Sequence, residues 1–238
     1  MTELRERHGA KARLYRAAPS WDDRPTVAIG GFRCPDAASG AALLTEIAEE
    51  MAGDGITRMI GPMDGDTWHS YRLVTDSDGR APFLLEPTSP PHHEAAFRAA
   101  GFDPIATYHS GTAPLHDLGP APPLPPGTRL DPWDGAAAER QLAEIHALSG
   151  HAFADNPFYQ PIGLDAFLDL YRPILPLLKP DLVFLARGDD GGLLGYLFGV
   201  PDYAQGPAPH AAILKTYASA IPGLGRALAH AFHTAAGA

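Results

Sequence analysis

The sequence has a single cysteine, an excess of acidic residues and no long apolar run. Cys34 alone excludes an internal disulfide, which fits a reducing compartment. A formal net charge of -10 argues against broad nucleic-acid binding, because such binding requires a basic face toward the phosphates. No segment shows a signal peptide or the roughly 18 apolar residues of a membrane span. We therefore expect a cytoplasmic protein that binds neither nucleic acid nor membrane.

Several motifs of catalysis and metal binding are also missing. The sequence has no G-x-x-x-x-G-K-[ST], the phosphate loop of nucleoside triphosphatases, and no G-x-S-x-G of serine hydrolases. Among its 11 histidines, His92 and His93 are adjacent, whereas two metal ligands on one helix face need a spacing of i and i+4. We expect these two side chains to diverge and to be exposed, so no metal site is predicted. Nothing around Cys34 marks it as an activated nucleophile.

Prolines are abundant and clustered, with 25 in the chain and five of them in the segment 118–129, "LGPAPPLPPGTR". Such a segment favours an extended, stiff spacer, since proline lacks a backbone donor. The sequence therefore predicts an N-terminal half at 1–118, a linker at 119–128 and a C-terminal half at 129–238. A docking site for a partner is the alternative reading of the proline segment. The basic first sixteen residues are expected to form a solvated leader.

The first half alternates strand and helix patterns. Apolar residues at Leu43, Leu44, Ile47 and Met51 predict one face of a helix. A second, shorter helix is expected to end at Gly101. Strands are predicted at 26–32, 56–62, 70–75, 82–87 and 103–110, with 70–75 and 82–87 forming a hairpin.

The second half begins with two predicted helices, one ending at Gly150 and the other over 164–171. Two buried strands around "GDDGG" form a predicted hairpin, and "AILKTYAS" (212–219) is a third strand. The chain then turns at Pro-Gly-Leu-Gly into a final helix. The predicted fold class is α/β in the α+β sense, a mixed and mostly antiparallel sheet flanked by helices.

The turn between the last strand and the last helix has the features of an anion site. Gly223 and Gly225 lack Cβ atoms and allow a phosphate to approach the free N–H groups of the helix start. Leu224 and Leu228, four residues apart, are expected to anchor the helix to the core. A Pro-Gly turn that merely ends a strand explains the same residues, so the local pattern alone leaves both readings open.

The order of these elements, together with "PGLGRAL", resembles the GNAT superfamily of acyl-CoA-dependent N-acetyltransferases. The pyrophosphate loop of that superfamily reads roughly Q/R-x-x-G-x-G/A. Gly223 and Gly225 match it, whereas Ala220 stands where the family has Gln or Arg. Segments of the first half, such as "HEAAFRAAGFDPIATYHS", are similar to a bacterial subgroup with two GNAT-like halves. Only the second half has the glycine turn.

The resemblance implies an acetyltransferase that uses acetyl-CoA as co-substrate, without a metal, and acetylates an amine of a small molecule or peptide. The cofactor contacts that it implies are Tyr217, Ala218, Ser219, Ile221, Gly223, Leu224, Gly225 and Arg226. Asn156 and Tyr159 lie where the family often lines its acceptor pocket. No residue is marked as general acid or base, and Glu144 and Asp202 are expected to be solvated.

One departure from the family bears on activity. Family members continue past the cofactor helix with a strand, a helix and a closing hairpin, which this sequence does not show. The alternatives are therefore a non-catalytic binding or scaffold protein, or a fragment of a longer enzyme. For a fragment, we expect an unpaired sheet edge and a tendency to form dimers.

Overall fold

The computed structural model describes residues 2–238, which form two compact units. Unit 1 consists of Met1–Ser110 together with Asn156–Gln160. Unit 2 consists of Gly111–Asp155 and Pro161–Ala238. Among residues 2–238, no helix combines the length and apolar character needed to cross a bilayer.

Unit 1 is built on a four-stranded sheet of order β1-β2-β3-β4. Strands β1 (Thr2–Arg7), β2 (Ala10–Tyr15) and β3 (Thr26–Arg33) are antiparallel neighbours, and β4 (Arg58–Ile60) is parallel to β3. The expected solvated leader is therefore wrong. Alternate residues of β2 are buried, namely Ala10, Ala12 and Leu14, because its period-2 pattern places them against the core.

Two helices cover this sheet. Helix α1 (Ala37–Gly53) begins at Asp36, whose carboxylate accepts a hydrogen bond from the Ser39 amide at 2.8 Å. All four predicted apolar positions of α1 are buried. Helix α2 (Pro91–Ala99) is followed by Gly101 in the left-handed conformation at φ +84°, as predicted. The expectation of exposed histidines is wrong for His93, which is 4% exposed on the buried face of α2.

Three predicted strands of the first half are absent, namely 70–75, 82–87 and 103–110. A single bridge, Met63 to Tyr71, is the only pairing of the first of them. Arg72 has φ +84°, and its guanidinium lies 4.5 Å from the Tyr71 ring and 4.6 Å from the Tyr108 ring. The rings of Tyr71 and Tyr108 thus contact the Arg72 guanidinium, and these segments do not form paired strands. A high β-propensity alone does not supply a neighbouring strand to pair with.

A five-residue loop from the second half of the sequence belongs to unit 1. The Phe158 ring meets the Trp21 ring edge-to-face at 5.5 Å and packs against the buried Met63. The Trp68 indole donates to the Gln160 carbonyl at 2.8 Å and its ring lies 5.9 Å from that of Tyr159. Residues 156–160 therefore complete a small aromatic cluster of this unit.

Unit 2 contains a second four-stranded sheet of order β5-β6-β7-β8, antiparallel throughout. The strands are β5 (Thr128–Pro132), β6 (Val183–Gly188), β7 (Leu193–Pro201) and β8 (Ala212–Ser219). Residues 119–127 contain neither helix nor strand. The mixed, mostly antiparallel sheets flanked by helices confirm the predicted fold class.

Helices cover both faces of this second sheet. Helices α3 (Ala138–Ala152) and α4 (Leu164–Tyr171) lie on one face, where Tyr171 contacts Phe198 of β7. Helix α5 (Leu224–Ala236) lies on the other face, with Leu224 and Leu228 packed against Leu197. Helix α3 continues past its predicted end at Gly150, since one glycine inside a helix costs only about 1 kcal/mol.

Candidate functional site

Strand β8 carries the predicted cofactor residues Tyr217, Ala218 and Ser219 at its C-terminal end. It is the edge strand of its sheet and pairs with β7 alone among the strands of residues 2–238. The amide of Ala220 donates to the carbonyl of Leu194 at 2.8 Å. In an antiparallel pair the bonded positions alternate, so Ala218 bonds toward β7. The backbone groups of Tyr217 and Ser219 consequently point to the open edge.

The turn after β8 exposes the start of α5. Gly223 is the N-cap residue with φ +84°, and no side chain caps the helix. The first turn of α5 contains no acidic residue. A Cβ atom placed on Gly223 would meet nothing within 4 Å, so the space above the turn is open. This helix end thus keeps its free N–H groups and the positive end of its dipole.

Three of the predicted residues come together at this turn. A Cβ atom on Gly225 would lie 3.4 Å from Cε2 of Tyr217 and 3.7 Å from the hydroxyl oxygen of Ser219. The Tyr217 side chain is 50% exposed. The end of β8 and the start of α5 therefore border one surface, and their part in cofactor binding stays a prediction.

Arg226 adds a cation to the same helix turn. Its side chain is exposed and has neither an ion pair nor a hydrogen bond within the part of the chain that the structure describes. Its charge is therefore available to an anion at the turn. Ile221 is partly buried, and its side chain packs against the core cluster beneath α5.

The helix start is fixed by core packing. Leu224 and Leu228 are fully buried, as predicted for the anchors of α5. They lie so close to β7 that a Cβ atom on Gly195 would be 2.8 Å from Leu224 and 3.2 Å from Leu228. The position of the turn is thus set by a glycine of β7 that the sequence reading did not single out.

Buried hydroxyls lie on the opposite face of the same strands. Tyr196 of β7 is the partner of Ala218 in the sheet, and its hydroxyl is 2.7 Å from the Ser149 hydroxyl of α3. Both residues are at most 1% exposed. Burial raises the pKa of the neighbouring Tyr171 hydroxyl above its ordinary value. Sequence reasoning missed this group, because its members come from three elements.

The two carboxylates of unit 2 that were expected to be solvated are not. Glu144 was expected to be solvated, but it forms an ion pair with Arg187 at 2.6 Å. Arg187 also contacts Asp131 at 3.3 Å, so the pair is part of a small network. Asp202 is likewise buried and not solvated. Both carboxylate oxygens of Glu144 accept hydrogen bonds from Arg187, which argues against Glu144 as the base.

The predicted acceptor residues Asn156 and Tyr159 belong to unit 1, whereas the turn belongs to unit 2. The Asn156 carbonyl accepts from the Tyr159 amide at 3.0 Å, which closes a tight turn. Their part in acceptor binding remains a prediction.

Among known proteins, the chain is similar only to solved structures. No protein-family model matches the chain, and no curated protein matches its sequence. A GCN5-related N-acetyltransferase from Sphaerobacter thermophilus is similar at 16% identity and a TM-score of 0.48 over 96% of this chain. A tandem GNAT protein from the clavulanic acid biosynthesis pathway is similar at 16% identity and a TM-score of 0.43 over 93% of this chain.

The chain spans 63% and 64% of the lengths of these two proteins. The likeness is one of structure at low sequence identity.

Proposed function

We propose that unit 2 binds acetyl-CoA along β8 and at the start of α5, and transfers the acetyl group to an amine. One observation carries the proposal. The outward-facing backbone of Tyr217 and Ser219 leads directly to the N-terminus of α5, which is lined by glycine and has no side-chain cap. The sequence resemblance around "PGLGRAL" supports the same assignment.

The geometry suits the two chemically different parts of the cofactor. The pantetheine arm contains amide groups, which pair with the open edge of β8 as an added strand would. The pyrophosphate is an anion, which the free N–H groups of Leu224 and Gly225 and the charge of Arg226 stabilise. The absence of an acidic residue in the first turn of α5 removes a source of repulsion.

The reaction is acyl transfer. The amine nitrogen attacks the thioester carbonyl carbon and the C–N bond forms. The C–S bond breaks, the CoA thiolate leaves with its pair of electrons, and the proton that the nitrogen loses balances the one that the sulfur gains. An outward N–H at the end of β8 polarises the carbonyl oxygen, and most of the rate enhancement comes from holding the two reactants together. The attacking amine must be deprotonated, and we assign no residue to that step.

The binding half of the proposal is tested at Gly225. Gly225→Asp places a carboxylate on the first turn of α5, and one pair of unit charges at 4 Å is worth about 1 kcal/mol in water. Against a pyrophosphate with about two charges, the affinity for acetyl-CoA and for CoA should fall about tenfold or more. The measurement is isothermal titration of the full chain.

The matched control is Gly225→Asn, which has the same size without the charge. It should bind within about threefold of the Gly225→Ala variant, whose added methyl group makes ordinary contact with Tyr217. Gly225 is a better position than Gly223, because any side chain at φ +84° strains the backbone. Equal affinities of the Asp and Asn variants would remove the pyrophosphate from this turn.

The catalytic half is tested by thiol release from acetyl-CoA with a panel of small-molecule and peptide amines. Release that depends on the amine supports the transferase. Binding that is sensitive to Gly225→Asp but gives no release with any amine supports the alternative, a non-catalytic acyl-CoA-binding protein.

A further inference from the structure

Unit 1 brings its only cysteine next to two histidines. Cys34 directly follows β3, whereas His92 and His93 lie in the first turn of α2. One potential ligand atom from each side chain lies within 4.8 Å of the other two. The adjacent histidines thus converge with the thiol, contrary to the expectation from their spacing, because the third group comes from a distant part of the sequence.

His93 is a buried polar group without a polar partner. Its side chain is 4% exposed and meets the rings of Phe32 at 5.1 Å and His92 at 5.0 Å. Within residues 2–238, its ring nitrogens make no hydrogen bond. Neither ring nitrogen is among the fully enclosed, unpaired side-chain atoms of residues 2–238, so the imidazole of this buried residue is open to a ligand.

His92 is held in the manner of a metal ligand. Its Nε2 lies 3.0 Å from the carbonyl oxygen of Cys34. Because a carbonyl only accepts, Nε2 must carry the proton, and the lone pair of the neutral ring is on Nδ1. Histidines that bind metals usually donate their other ring N–H to a carbonyl or carboxylate in this way.

Cys34 is fixed by packing against α1. A Cβ atom on Gly40 would lie 2.8 Å from Sγ of Cys34, so the thiol occupies the space that this glycine leaves. The thiol is partly exposed, which gives an ion access from solvent.

We propose that Cys34, His92 and His93 bind a zinc ion, with water as the fourth ligand. One thiolate and two imidazoles are a donor set that Zn²⁺ prefers over the oxygen-seeking Mg²⁺ and Ca²⁺. Bond lengths of about 2.0–2.3 Å require ligand atoms about 3.5 Å apart, so small side-chain rotations close the site. The ion joins the end of β3 to the start of α2. The site belongs to unit 1 and is independent of the proposed acetyl transfer.

Cobalt substitution tests the proposal, because the chain has only one thiol. The reduced full-length protein, freed of metal with a chelator, is titrated with Co²⁺. We expect a thiolate-to-cobalt charge-transfer band together with visible bands of tetrahedral intensity. Cys34→Ser should lose the charge-transfer band, and His92→Gln should weaken Co²⁺ binding by at least about tenfold. The control His109→Gln changes an exposed histidine of the same unit and should leave the spectrum as it is.

Zinc itself provides the second readout. Zn²⁺ should raise the thermal midpoint of the parent and of His109→Gln, and should have a much smaller effect on Cys34→Ser and His92→Gln. The far-UV circular dichroism of each variant establishes that it is folded. A folded parent without the charge-transfer band overturns the proposal, as does an equal Zn²⁺ affinity of the parent and both site variants.

Discussion

At the scale of single residues, glycines decide how closely α5 approaches its sheet. A Cβ atom on Gly199 would lie 2.2 Å from Cε2 of Phe232 and 2.8 Å from the carbonyl oxygen of Leu182. Neither neighbour has room to move, since Phe232 is 3% exposed and the oxygen belongs to the backbone. Gly199→Ala should therefore lower the free energy of unfolding by about 1–3 kcal/mol.

Urea denaturation of Gly199→Ala and of the control variant Gly163→Ala checks this prediction. Gly163 lies in the same unit with nothing within 4 Å of its Cβ position and an extended backbone. Its substitution should change stability by less than about 1 kcal/mol. A similar decrease in the free energy of unfolding of the two variants would show that the close approach of Phe232 to Gly199 does not affect stability.

The sequence allowed some of these residue roles to be predicted and hid others. Gly223 and Gly225 form a recognisable turn pattern, and Leu224 and Leu228 have helical spacing, so both pairs were readable. The meeting of Cys34 with the two histidines was not readable, because residues far apart in sequence approach only through the fold. Close contacts of glycines in strands are hidden for the same reason.

At the scale of elements, the β1–β2 hairpin is tied to α1 by charge. The guanidinium of Arg5 donates to Glu50 of α1 at 2.9 Å and also contacts Glu3. The Arg5 hydrogen bond holds the pKa of Glu50 below its usual value. The ionised Glu50 therefore stabilises the fold above the pKa that it has in the unfolded chain, and this contribution is lost as the pH falls through the lower pKa of the folded state.

Glu50→Gln should accordingly cost less than about 1 kcal/mol at pH 7, since the pair is partly exposed. The difference from the parent should narrow below about pH 4.5 and in high salt. Urea midpoints measured across pH 3–7 check this expectation. A difference that persists unchanged at pH 3 would show that Glu50 acts through packing and not through its charge.

Helices and strands were predicted correctly where the apolar pattern of the sequence faces a core or strand that is present in the fold. The apolar face of α1 and the buried strand β3 were both identified, because their side chains face one core. The strands predicted at 70–75 and 82–87 are wrong, since no neighbouring strand pairs with them. The Arg72 guanidinium instead lies over the rings of Tyr71 and Tyr108, which meet edge-to-face. The β1–β2 hairpin was predicted to be a solvated leader because most of its residues are charged. Its alternate apolar residues Ala10, Ala12 and Leu14 are nevertheless buried.

At the scale of the whole molecule, the loop 156–160 is expected to stabilise unit 1, although it is distant in sequence from the rest of that unit. Phe158 is half-buried against Trp21 and Met63. Phe158→Ala should destabilise unit 1 by about 1–3 kcal/mol, less than the loss for a fully buried phenylalanine. Amide hydrogen exchange should become faster in β3 and β4.

Leu177→Ala serves as the control, because Leu177 is 44% exposed and lies in unit 2. It should leave exchange in β3 and β4 unchanged. If Phe158→Ala also leaves these strands unchanged, the loop only rests on unit 1 without supporting it.

The membership of residues 156–160 in unit 1 has a genetic consequence. All of unit 1 is encoded only by a stretch that runs through the codon of Gln160, because its last five residues follow α3 of unit 2. A recombination event at the proline-rich segment would separate that loop from the aromatic cluster it completes. The coding sequences of the two units therefore interleave, even though each unit has its own sheet and its own core.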